Sequence, residues 1–361
     1  DIKVVIGSSY GDEGKGLVSA NFAREAAQKN NRCLTIFYNG TVQRAHSFGD
    51  KVYHCEAAGT EFGSDTFYHK MFVVSPISLW IAQAKVYIDP ECRIILPCDV
   101  LANRTVEKER GEKRHGTCGF GLFAAVTRRK NPKYCIFAQD LIDPFTLYEK
   151  LQTLKEAYPY DFDEVYNLDN FMKAADYIRK NCKIIGLADL LKRRKYETII
   201  YEGGQGLLLD QNNMGDFPHL TPSSTGLRNI TDELGGLRYY DTSPEIYYVS
   251  RSYITRHGAG PMEAECDKVL INPDIVDRVN QMNEWQGALR FGCLNMNSFY
   301  QRIKEDAGYW SNINLVFTHL NYTDGKLATT DGRIDIVKPD FVKMRWLSED
   351  KYYIHEAEGN E

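Results

Sequence analysis

The sequence predicts an α/β protein: one large domain with a mainly parallel central sheet flanked by helices, and a phosphate-binding turn similar to a P-loop after the first strand. Three observations support this prediction. Short apolar strands alternate with longer helical patterns along most of the 361 residues. A β-branched strand at the N-terminus leads directly into a glycine-rich turn and a helical run. No segment rich in Pro, Gly or Ser divides the chain, so a single domain is expected over residues 1–361.

The predicted strands are short and apolar, and the predicted helices carry apolar residues at helical spacing. Strands are expected at Val4–Ile6, Leu34–Tyr38, Phe72–Val74, Arg93–Leu96, Thr198–Tyr201, Ile246–Val249 and Leu315–Thr318. Helices are expected at Leu17–Lys29, Pro76–Ala84, Phe145–Ala157, Asn170–Asn181 and Leu187–Arg194. The acidic, aromatic stretch Tyr158–Tyr166 is expected to be a surface connection.

Composition argues against several classes of protein. The chain has 44 basic and 49 acidic residues, a formal charge of −5 and no basic block, so nucleic acid is not an expected partner. No apolar run is long enough to predict a membrane span, and no signal peptide is evident. The nine cysteines are scattered without a CxxC pair, which is typical of reduced thiols. We therefore expect a cytoplasmic protein.

The turn Gly7–Gly16 has the composition of a phosphate-binding loop. Its glycines let backbone N–H groups approach an anion at a helix N-terminus, and Lys15 adds a positive charge for the outer phosphates. The turn also contains two acids, Asp12 and Glu13. Because a carboxylate beside transferable phosphates can bind Mg²⁺ or act as a base, the loop predicts an enzyme that removes a proton while it moves phosphate.

This turn is nevertheless not a Walker A loop. Six residues separate Gly7 from Gly14, whereas that motif has four. Gly16 stands where the motif has a Ser or Thr. The Mg²⁺-binding hydroxyl of a Walker A loop is therefore missing.

Four further segments have the glycine and polar density of ligand loops. They are Gly116–Gly121, Glu202–Gly206 with its continuation through Asp210 to Phe217–Thr225, Thr255–Pro261 and Thr318–Asn321. Open α/β sheets bind ligands at the carboxyl ends of their strands, and most of these segments follow or end predicted strands. One such segment alone is consistent with an ordinary turn, but the set together with the first loop indicates one ligand site.

These segments resemble the motifs of the adenylosuccinate synthetase family, in order and over nearly the whole chain. The family's WGDEGKG, NAGH and GTTGRG motifs correspond to Tyr10–Gly16, Gln43–His46 and Gly116–Gly121. Its EGAQG, STRVGAGP and TKLD motifs correspond to Glu202–Gly206, Ile254–Pro261 and Thr318–Asn321.

The resemblance implies a ligase of purine biosynthesis. The γ-phosphate of a nucleoside triphosphate is placed on O6 of a purine nucleoside monophosphate while a base removes the N1 proton, and the amine of L-aspartate then displaces phosphate. By position, Asp12 corresponds to the base and to a Mg²⁺ ligand, and His46 to the residue that stabilises the transferring phosphoryl group. Lys15 corresponds to the catalytic lysine that holds the phosphates, and the carbonyl of Ala45 to a backbone ligand of Mg²⁺.

The resemblance also implies binding residues and a homodimer. For the nucleoside triphosphate they are Gly11, Glu13, Gly14, Lys15, Gly16, Thr318, His319 and Asn321. For the purine monophosphate they are Gln43, Thr117, Cys118, Arg128, Gln205, Leu209, Thr221 and His257. For aspartate they are Gly287 and Arg290. Arg128 resembles an arginine that reaches the substrate phosphate of the neighbouring subunit, which is the reason to expect a homodimer.

Three departures from the family pattern bear on the substrates. Asn321 stands where the family has a guanine-reading aspartate, and an amide can both donate to and accept from adenine, which favours ATP over GTP. The arginine-rich loop of the family is reduced to Arg290 within Gln286–Gly292, which weakens a requirement for a 2′-hydroxyl group. The C-terminal glycine–proline nucleotide clamp is not recognisable in Tyr353–Gly359.

An asparagine at this position and a short chain characterise the bacteriophage branch of the family, which uses dGMP in place of IMP. Asp12 follows the cellular pattern, because better-known phage enzymes have Ser there. We favour dGMP with ATP, giving 2-amino-N6-succinyl-2′-deoxyadenylate, with IMP and GTP as the alternative. A nucleotide-binding module without ligase activity is disfavoured, because Asp12, His46 and the Gln205 loop are all present. A simple phosphotransferase is disfavoured, because the Walker Ser or Thr is missing and the segment Arg256–Pro261 is present.

Overall fold

A ten-stranded sheet forms the centre of the computed structural model, which describes residues 1–41, 45–128, 131–157, 160–161, 167–236, 243–277 and 279–357. From edge to edge its strands are β19 (His355–Glu356), β18 (Met344–Leu347), β15 (Ile313–Thr318), β11 (Glu245–Arg251), β1 (Ile2–Gly7), β10 (Thr198–Gly206), β2 (Cys33–Phe37), β5 (Asp65–Tyr68), β7 (Tyr87–Ile88) and β9 (Lys183–Ile184). Each neighbouring pair is parallel except β18–β19. The predicted fold class is confirmed.

Helices flank this sheet. In the described part of the chain they are α1 (Lys15–Gln28), α2 (Pro76–Ala82), α3 (Pro97–Arg110), α4 (Leu122–Arg128), α5 (Pro144–Ala157), α6 (Leu168–Asn181), α7 (Leu187–Arg193), α8 (Thr231–Gly236), α9 (Lys268–Ile271) and α10 (Met296–Ala307). None of the helices in the described ranges has the length and apolar character needed to cross a bilayer. All nine cysteines are free thiols.

Four smaller sheets carry loops of the site or support them. They are β3 (Ala45–Phe48) with β4 (Lys51–His54), β6 (Val73–Val74) with β8 (Arg93–Ile94), β12 (Ile254–His257) and β13 (Glu265–Cys266) on either side of β14 (Leu289–Gly292), and β16 (Leu327–Thr329) with β17 (Gly332–Ile334). Two predicted strands, at residues 72–74 and 93–96, therefore pair with each other outside the main sheet.

The sheet is buried on both faces because its central strands are apolar on both. In β1, Val4 and Ile6 pack into one core and Val5 into the core on the opposite face, and all three are fully buried. Continuous apolar strands of this kind are typical of parallel sheets covered by helices.

Two long helices, α3 and α10, were not predicted. The signal for α10 is present in the sequence: Phe299, Ile303 and Ala307 recur every four residues behind an Asn295 N-cap, whose side chain accepts from the backbone of the first turn. In α3 the apolar residues are consecutive rather than spaced, which hides the period. Most of the predicted connection at residues 158–166 lies outside the described residues.

The parallel order brings four strand ends to one edge. β15, β11, β1 and β10 are neighbours, and all four run in the same direction. Their carboxyl ends therefore present the 7–14, 202–206, 251–257 and 318–321 segments side by side, where open α/β sheets bind ligands.

Candidate active site

The loop between β1 and α1 is organised from inside by Glu13. One carboxylate oxygen, Oε1, accepts hydrogen bonds from the backbone N–H groups of Ser9 at 2.9 Å and Gly11 at 3.0 Å. The other, Oε2, lies 2.9 Å from Nζ of Lys15. Because the Glu13 side chain is committed to the loop, only its backbone remains for a nucleotide. The nucleotide-binding role predicted for Glu13 therefore stays a prediction for its backbone.

Asp12 is the solvent-exposed acid of this loop. Its φ of 61° lies in the left-handed region, between Gly11 at 95° and the N-cap Gly14 at 93°. The side chain is exposed to solvent, although many protein atoms lie close to its carboxyl group. This desolvation raises the pKa of the Asp12 carboxyl, against the opposing attraction of Arg251 and Lys15. A carboxyl with a raised pKa is a stronger base once it is ionised.

Two arginines that were not predicted as site residues hold this loop. Arg251, at the end of β11, donates from Nε to the carbonyl of Asp12 at 2.6 Å and from Nη2 to Asp277 at 2.6 Å. Although burial opposes ionisation of Asp277, Arg251 keeps its pKa well below the usual value. Arg302 of α10 donates to the carbonyl of Ser8 at 2.7 Å. The position of Arg251 at a strand end was a usable signal; Arg302 lies on a helix that was not predicted.

His46, on β3, packs against the start of α1. Its ring stacks on Phe37 with centroids 5.5 Å apart, and its Nδ1 lies 3.1 Å from Oε1 of Glu202. A Cβ on Gly16 would lie 2.3 Å from Nδ1 of His46, so only glycine allows the ring this approach. A Ser or Thr side chain at position 16, as in a Walker A loop, would collide with the His46 ring.

Glu202 is a site residue that sequence reasoning named only as part of a motif. It lies in β10, and its side chain is fully buried beside His46. A buried carboxylate 3.1 Å from one ring nitrogen restrains the orientation of a histidine through its charge.

The turn at the end of β15 contacts the phosphate loop. The hydroxyl of Thr318 donates to the carbonyl of Glu13 at 2.8 Å. His319 has a φ of 60°, and burial with the nearby Arg251 charge lowers its pKa well below the usual value, so the ring is neutral. Asn321 is exposed on the same turn. The structure therefore brings this predicted nucleotide turn to the predicted phosphate loop.

The Gly116–Gly121 loop is held by a buried acid, Glu107 of α3. Its carboxylate accepts from the backbone N–H groups of His115, Gly116 and Thr117 at 3.3, 2.8 and 3.2 Å. Burial opposes ionisation, yet these hydrogen bonds and Arg110 hold the pKa of Glu107 below its usual value. Sequence reasoning did not find Glu107, because a lone acid in an unpredicted helix carries no signal.

Two further residues of this loop were predicted to bind the purine monophosphate. The hydroxyl of Thr117 accepts from Nδ2 of Asn103 at 2.9 Å. Cys118 is half-buried, and the packing around it raises the pKa of its thiol. The loop touches the turn after β12, since a Cβ on Gly116 would lie 2.3 Å from the backbone nitrogen of Ala259.

Three more predicted purine-site residues lie close to the first loop or to each other. Oε1 of Gln205 is 3.1 Å from where a Cβ on Gly11 would stand, so Gln205 packs against the phosphate loop. The backbone N–H of Thr221 donates to the carbonyl of Leu209 at 2.9 Å. Gln43 lies outside the described residues.

His257 and Arg290 bind other parts of the protein. Nε2 of His257 lies 3.0 Å from the carbonyl of Gly287, so the histidine anchors the predicted aspartate loop. Arg290 pairs with Glu265 and donates to the carbonyls of Gly258 at 3.1 Å and Gly260 at 2.8 Å. The structure therefore shows both side chains bonded within the loops, and their predicted ligand-binding roles stay predictions.

Arg128 does not reach outward, which corrects its predicted role. Its guanidinium makes a two-point pair with the carboxylate of Asp99, at 2.9 and 2.8 Å, and both side chains are almost fully buried. It also donates to the carbonyls of Ile94 and Tyr134. A side chain enclosed in this way has no reach to a neighbouring subunit, so the homodimer loses the residue on which that expectation rested.

Replacing Arg128 by Met is expected to lower the free energy of unfolding by about 3–5 kcal/mol, because Asp99 would remain as an uncompensated buried charge. Urea denaturation measures this change, and Lys133→Met, an exposed basic residue close in sequence, serves as the control with little effect. Unchanged stability together with a higher KM for the purine nucleotide would instead restore a ligand-binding role.

The residues around Asp12 fit a Mg²⁺ ion. Mg²⁺ at phosphate-transfer sites is usually held by one or two carboxylates, together with substrate phosphates and water. Asp12 offers a solvent-exposed carboxylate, and Ala45 is the first residue of β3, the strand that carries His46. No group of three His, Cys, Asp or Glu side chains with ligand geometry occurs within the described ranges, so an all-protein cage is absent there.

A family model described as Adenylosuccinate synthetase matches residues 4–290. The adenylosuccinate synthetase of Edwardsiella ictaluri is 28% identical over 285 residues, 73% of this chain and 64% of that protein. That of Halothermothrix orenii is 25% identical over 305 residues, 79% of this chain and 69% of that protein. The matched region thus spans about two-thirds of the length of these relatives.

Two solved structures share the fold. The fully ligated adenylosuccinate synthetase of Plasmodium falciparum superposes with a TM-score of 0.69 at 18% identity, covering 94% of this chain and 84% of that one. The succinoaminodeoxyadenylate synthetase of cyanophage S-2L, bound to dGMP and to dATP as an energy donor, gives a TM-score of 0.61 at 14% identity, covering 89% and 86%.

Proposed function

This chain belongs to the adenylosuccinate synthetase family, and from that membership we propose that it is a carbon–nitrogen ligase joining L-aspartate to C6 of a purine nucleoside monophosphate. One observation carries the proposal. An outward-facing acid with a raised pKa, Asp12, lies in the same phosphate loop as Lys15, and His46 packs against that loop. The free thiols of the chain fit a reducing cytoplasm.

In the proposed first step Asp12 removes the proton from N1 of the purine. O6 attacks the γ-phosphorus of the nucleoside triphosphate, the bond to the β-phosphate oxygen breaks, and the nucleoside diphosphate leaves. Removal of the N1 proton places negative charge on O6, which makes it the nucleophile. Arg251 holds the Asp12 carbonyl, so the carboxylate is presented from a fixed backbone. Asp12 and the Ala45 carbonyl would hold Mg²⁺, which supplies charge neutralisation on the phosphates.

Lys15 and His46 act on the phosphoryl group. In the structure Lys15 pairs with Glu13, so nucleotide phosphates would draw its ammonium group from that carboxylate or share it. His46, oriented through Nδ1 by Glu202, would donate from Nε2 to a phosphoryl oxygen whose charge grows during transfer. The aspartate amine then attacks C6, and phosphate leaves.

Aspartate binding involves an exchange of partners at Arg290. Its guanidinium is paired with Glu265 in the structure, so a substrate carboxylate would compete with that side chain. Gly287, whose carbonyl contacts His257, lies on the same loop with a positive φ of 75°.

We propose dGMP as the purine substrate and ATP as the phosphoryl donor. The exposed amide of Asn321, the loop in which Arg290 is the single arginine, and the shared fold with the cyanophage enzyme bound to dGMP and dATP support this choice. Asp12 supports the alternative, the ordinary reaction with IMP and GTP, because its carboxylate crowds a 2-amino group beside N1.

A substrate panel tests this proposal. IMP, GMP, dIMP and dGMP are each combined with ATP or GTP and aspartate, and products are identified by mass. We expect succinylated product from dGMP with ATP, and a clear preference, because a hydrogen-bonding pocket discriminates strongly against ligands that leave its groups unpaired. Turnover of IMP with little on dGMP would overturn the substrate while leaving the ligase chemistry in place. Phosphate transfer without aspartate would instead indicate a kinase.

The donor preference is expected to depend on Asn321. Asn321→Asp should shift the ratio of kcat/KM for ATP and GTP towards GTP by about tenfold or more, because a carboxylate accepts from guanine but has no donor for adenine. Steady-state kinetics with both donors measures the shift, and Asn297→Asp, an exposed amide on α10, is the control. A wild-type preference for GTP would contradict this assignment.

A further inference from the structure

The C-terminal segment Ser348–Tyr352, here called the strap, begins at the proposed nucleotide turn. Ser348 follows β18 and is fully buried. Its backbone N–H donates to the carbonyl of Phe317 at 2.8 Å, and its carbonyl accepts from the N–H of Leu320 at 3.2 Å. One end of the strap is therefore fixed to the turn that carries Asn321.

The strap is a closed turn rather than a loose tail. The hydroxyl of Ser348 donates to the carbonyl of Asp350 at 2.9 Å. Oδ1 of Asp350 accepts from the backbone N–H groups of Tyr352 at 2.6 Å and Tyr353 at 2.7 Å. An aspartate that binds the backbone ahead of it in this way fixes a turn.

The other end of the strap covers the turn between β3 and β4. The N–H of Gly49 donates to the carbonyl of Lys351 at 2.8 Å. The ring of Tyr352 lies edge-on to the ring of Phe48, with 5.8 Å between the two ring centroids. A Cβ on Gly49 would stand 2.1 Å from the Tyr352 ring, so a larger residue would collide with it. The φ of Gly49 is 62°, a left-handed conformation that also favours glycine. Lys351 also pairs with Asp50.

Tyr352 is fastened to the phosphate-loop helix as well. Its carbonyl accepts from Nδ2 of Asn21 at 3.1 Å and from Nη1 of Arg24 at 3.3 Å. Both donors lie on α1. Tyr352 thus joins α1 to the hairpin whose first strand carries His46.

We propose that the strap is a positioning element, with Tyr352 as its central residue, which holds the β3–β4 hairpin against α1 and so keeps His46 aligned with the nucleotide bound at the 318–321 turn. Its catalytic consequence rests on the proposed function, but the structural link does not. A displacement of the hairpin moves His46 relative to the phosphates, and small displacements of a catalytic group lower turnover strongly.

Two measurements on Tyr352→Ala test the strap. Hydrogen exchange, read by mass spectrometry on peptides from residues 45–54, should be about tenfold faster than in the wild-type protein if the ring holds the hairpin. In the ligase assay kcat should fall by about tenfold, with little change in KM for either nucleotide. Tyr352→Phe keeps the ring and should restore both properties. Tyr309→Ala, an exposed tyrosine in another part of the chain, is the control.

Gly49→Ala disrupts the same contact from the side of the hairpin, since its methyl group collides with the Tyr352 ring. It should likewise speed hydrogen exchange at residues 45–54 and lower kcat. Unchanged hydrogen exchange at residues 45–54 in Tyr352→Ala and Gly49→Ala would overturn the proposal that the strap holds the hairpin, whatever the activity of the variants. Faster exchange with unchanged kcat would overturn its link to His46. If the wild-type protein ligates none of the tested substrates, the proposed function fails, and the exchange measurement still decides the strap.

Discussion

Asp12→Asn is expected to lower kcat by about 10²–10⁴-fold while leaving nucleotide binding largely intact, because a general base contributes on this order and the carboxylate also serves as the proposed Mg²⁺ ligand. Asn fits the site, since it is similar in size and tolerates the left-handed φ of 61° at this position. The phosphate loop is held by Glu13, Arg251 and Arg302, none of which bonds the Asp12 side chain. The variant therefore separates chemistry from folding.

The pH dependence of kcat/KM is a second test of Asp12 as the base. The base must be ionised, so kcat/KM of the wild-type enzyme should fall with decreasing pH through the raised pKa of Asp12, at higher pH than for an ordinary carboxyl. A raised pKa also means that ionised Asp12 destabilises the fold above that pKa, and that this cost disappears below the ordinary carboxyl pKa. Asp12→Asn should accordingly not lower Tm at neutral pH.

Asp324→Asn is the matched control, because Asp324 is an exposed aspartate with a similar φ of 54°. It should keep wild-type turnover. Near-normal kcat in Asp12→Asn, or loss of nucleotide binding in that variant, would contradict the role of Asp12 as the base. Isothermal titration with a non-hydrolysable nucleotide distinguishes the second outcome from loss of chemistry.

The parts of the site that were predictable are those carried by local spacing. A strand, glycines and a lysine identify the loop from Gly7 to Lys15, and strand ends identify Glu202–Gly206 and Thr318–Asn321. Parallel strand order then brings these segments together, because neighbouring carboxyl ends share one edge. The sheet itself was predicted from the alternation of short apolar strands with helical patterns along the chain.

The local spacing of residues in the sequence does not predict which partner each side chain will contact. Arg128 and Arg290 are both basic residues near candidate loops, but the structure pairs them with Asp99 and Glu265. These pairings depend on packing between elements distant in sequence. The same limit applies to Glu107, whose three backbone contacts appear only once α3 lies beside the Gly116 loop.

His46 and Glu202 are expected to act as a unit. His46→Ala should lower kcat by about 10²–10³-fold with a much smaller rise in KM for either nucleotide, since its interaction with the phosphoryl group strengthens in the transition state. Glu202→Gln keeps the shape of the buried side chain but removes the charge that orients Nδ1, 3.1 Å away. It should therefore lower kcat in the same manner and to a smaller extent.

A variant that combines His46→Ala with Glu202→Gln tests whether the two residues act together or independently. If Glu202 acts through His46, Glu202→Gln should cost little more once His46 is Ala, so the two losses will not add. His54→Ala is the matched control, because His54 is exposed on β4 of the same hairpin and should leave kcat unchanged. Additive losses would assign Glu202 a separate role. A His46→Ala variant that raises only KM would show that the histidine binds the ground state, and phosphoryl transfer would then depend on Lys15 and the loop amides without it.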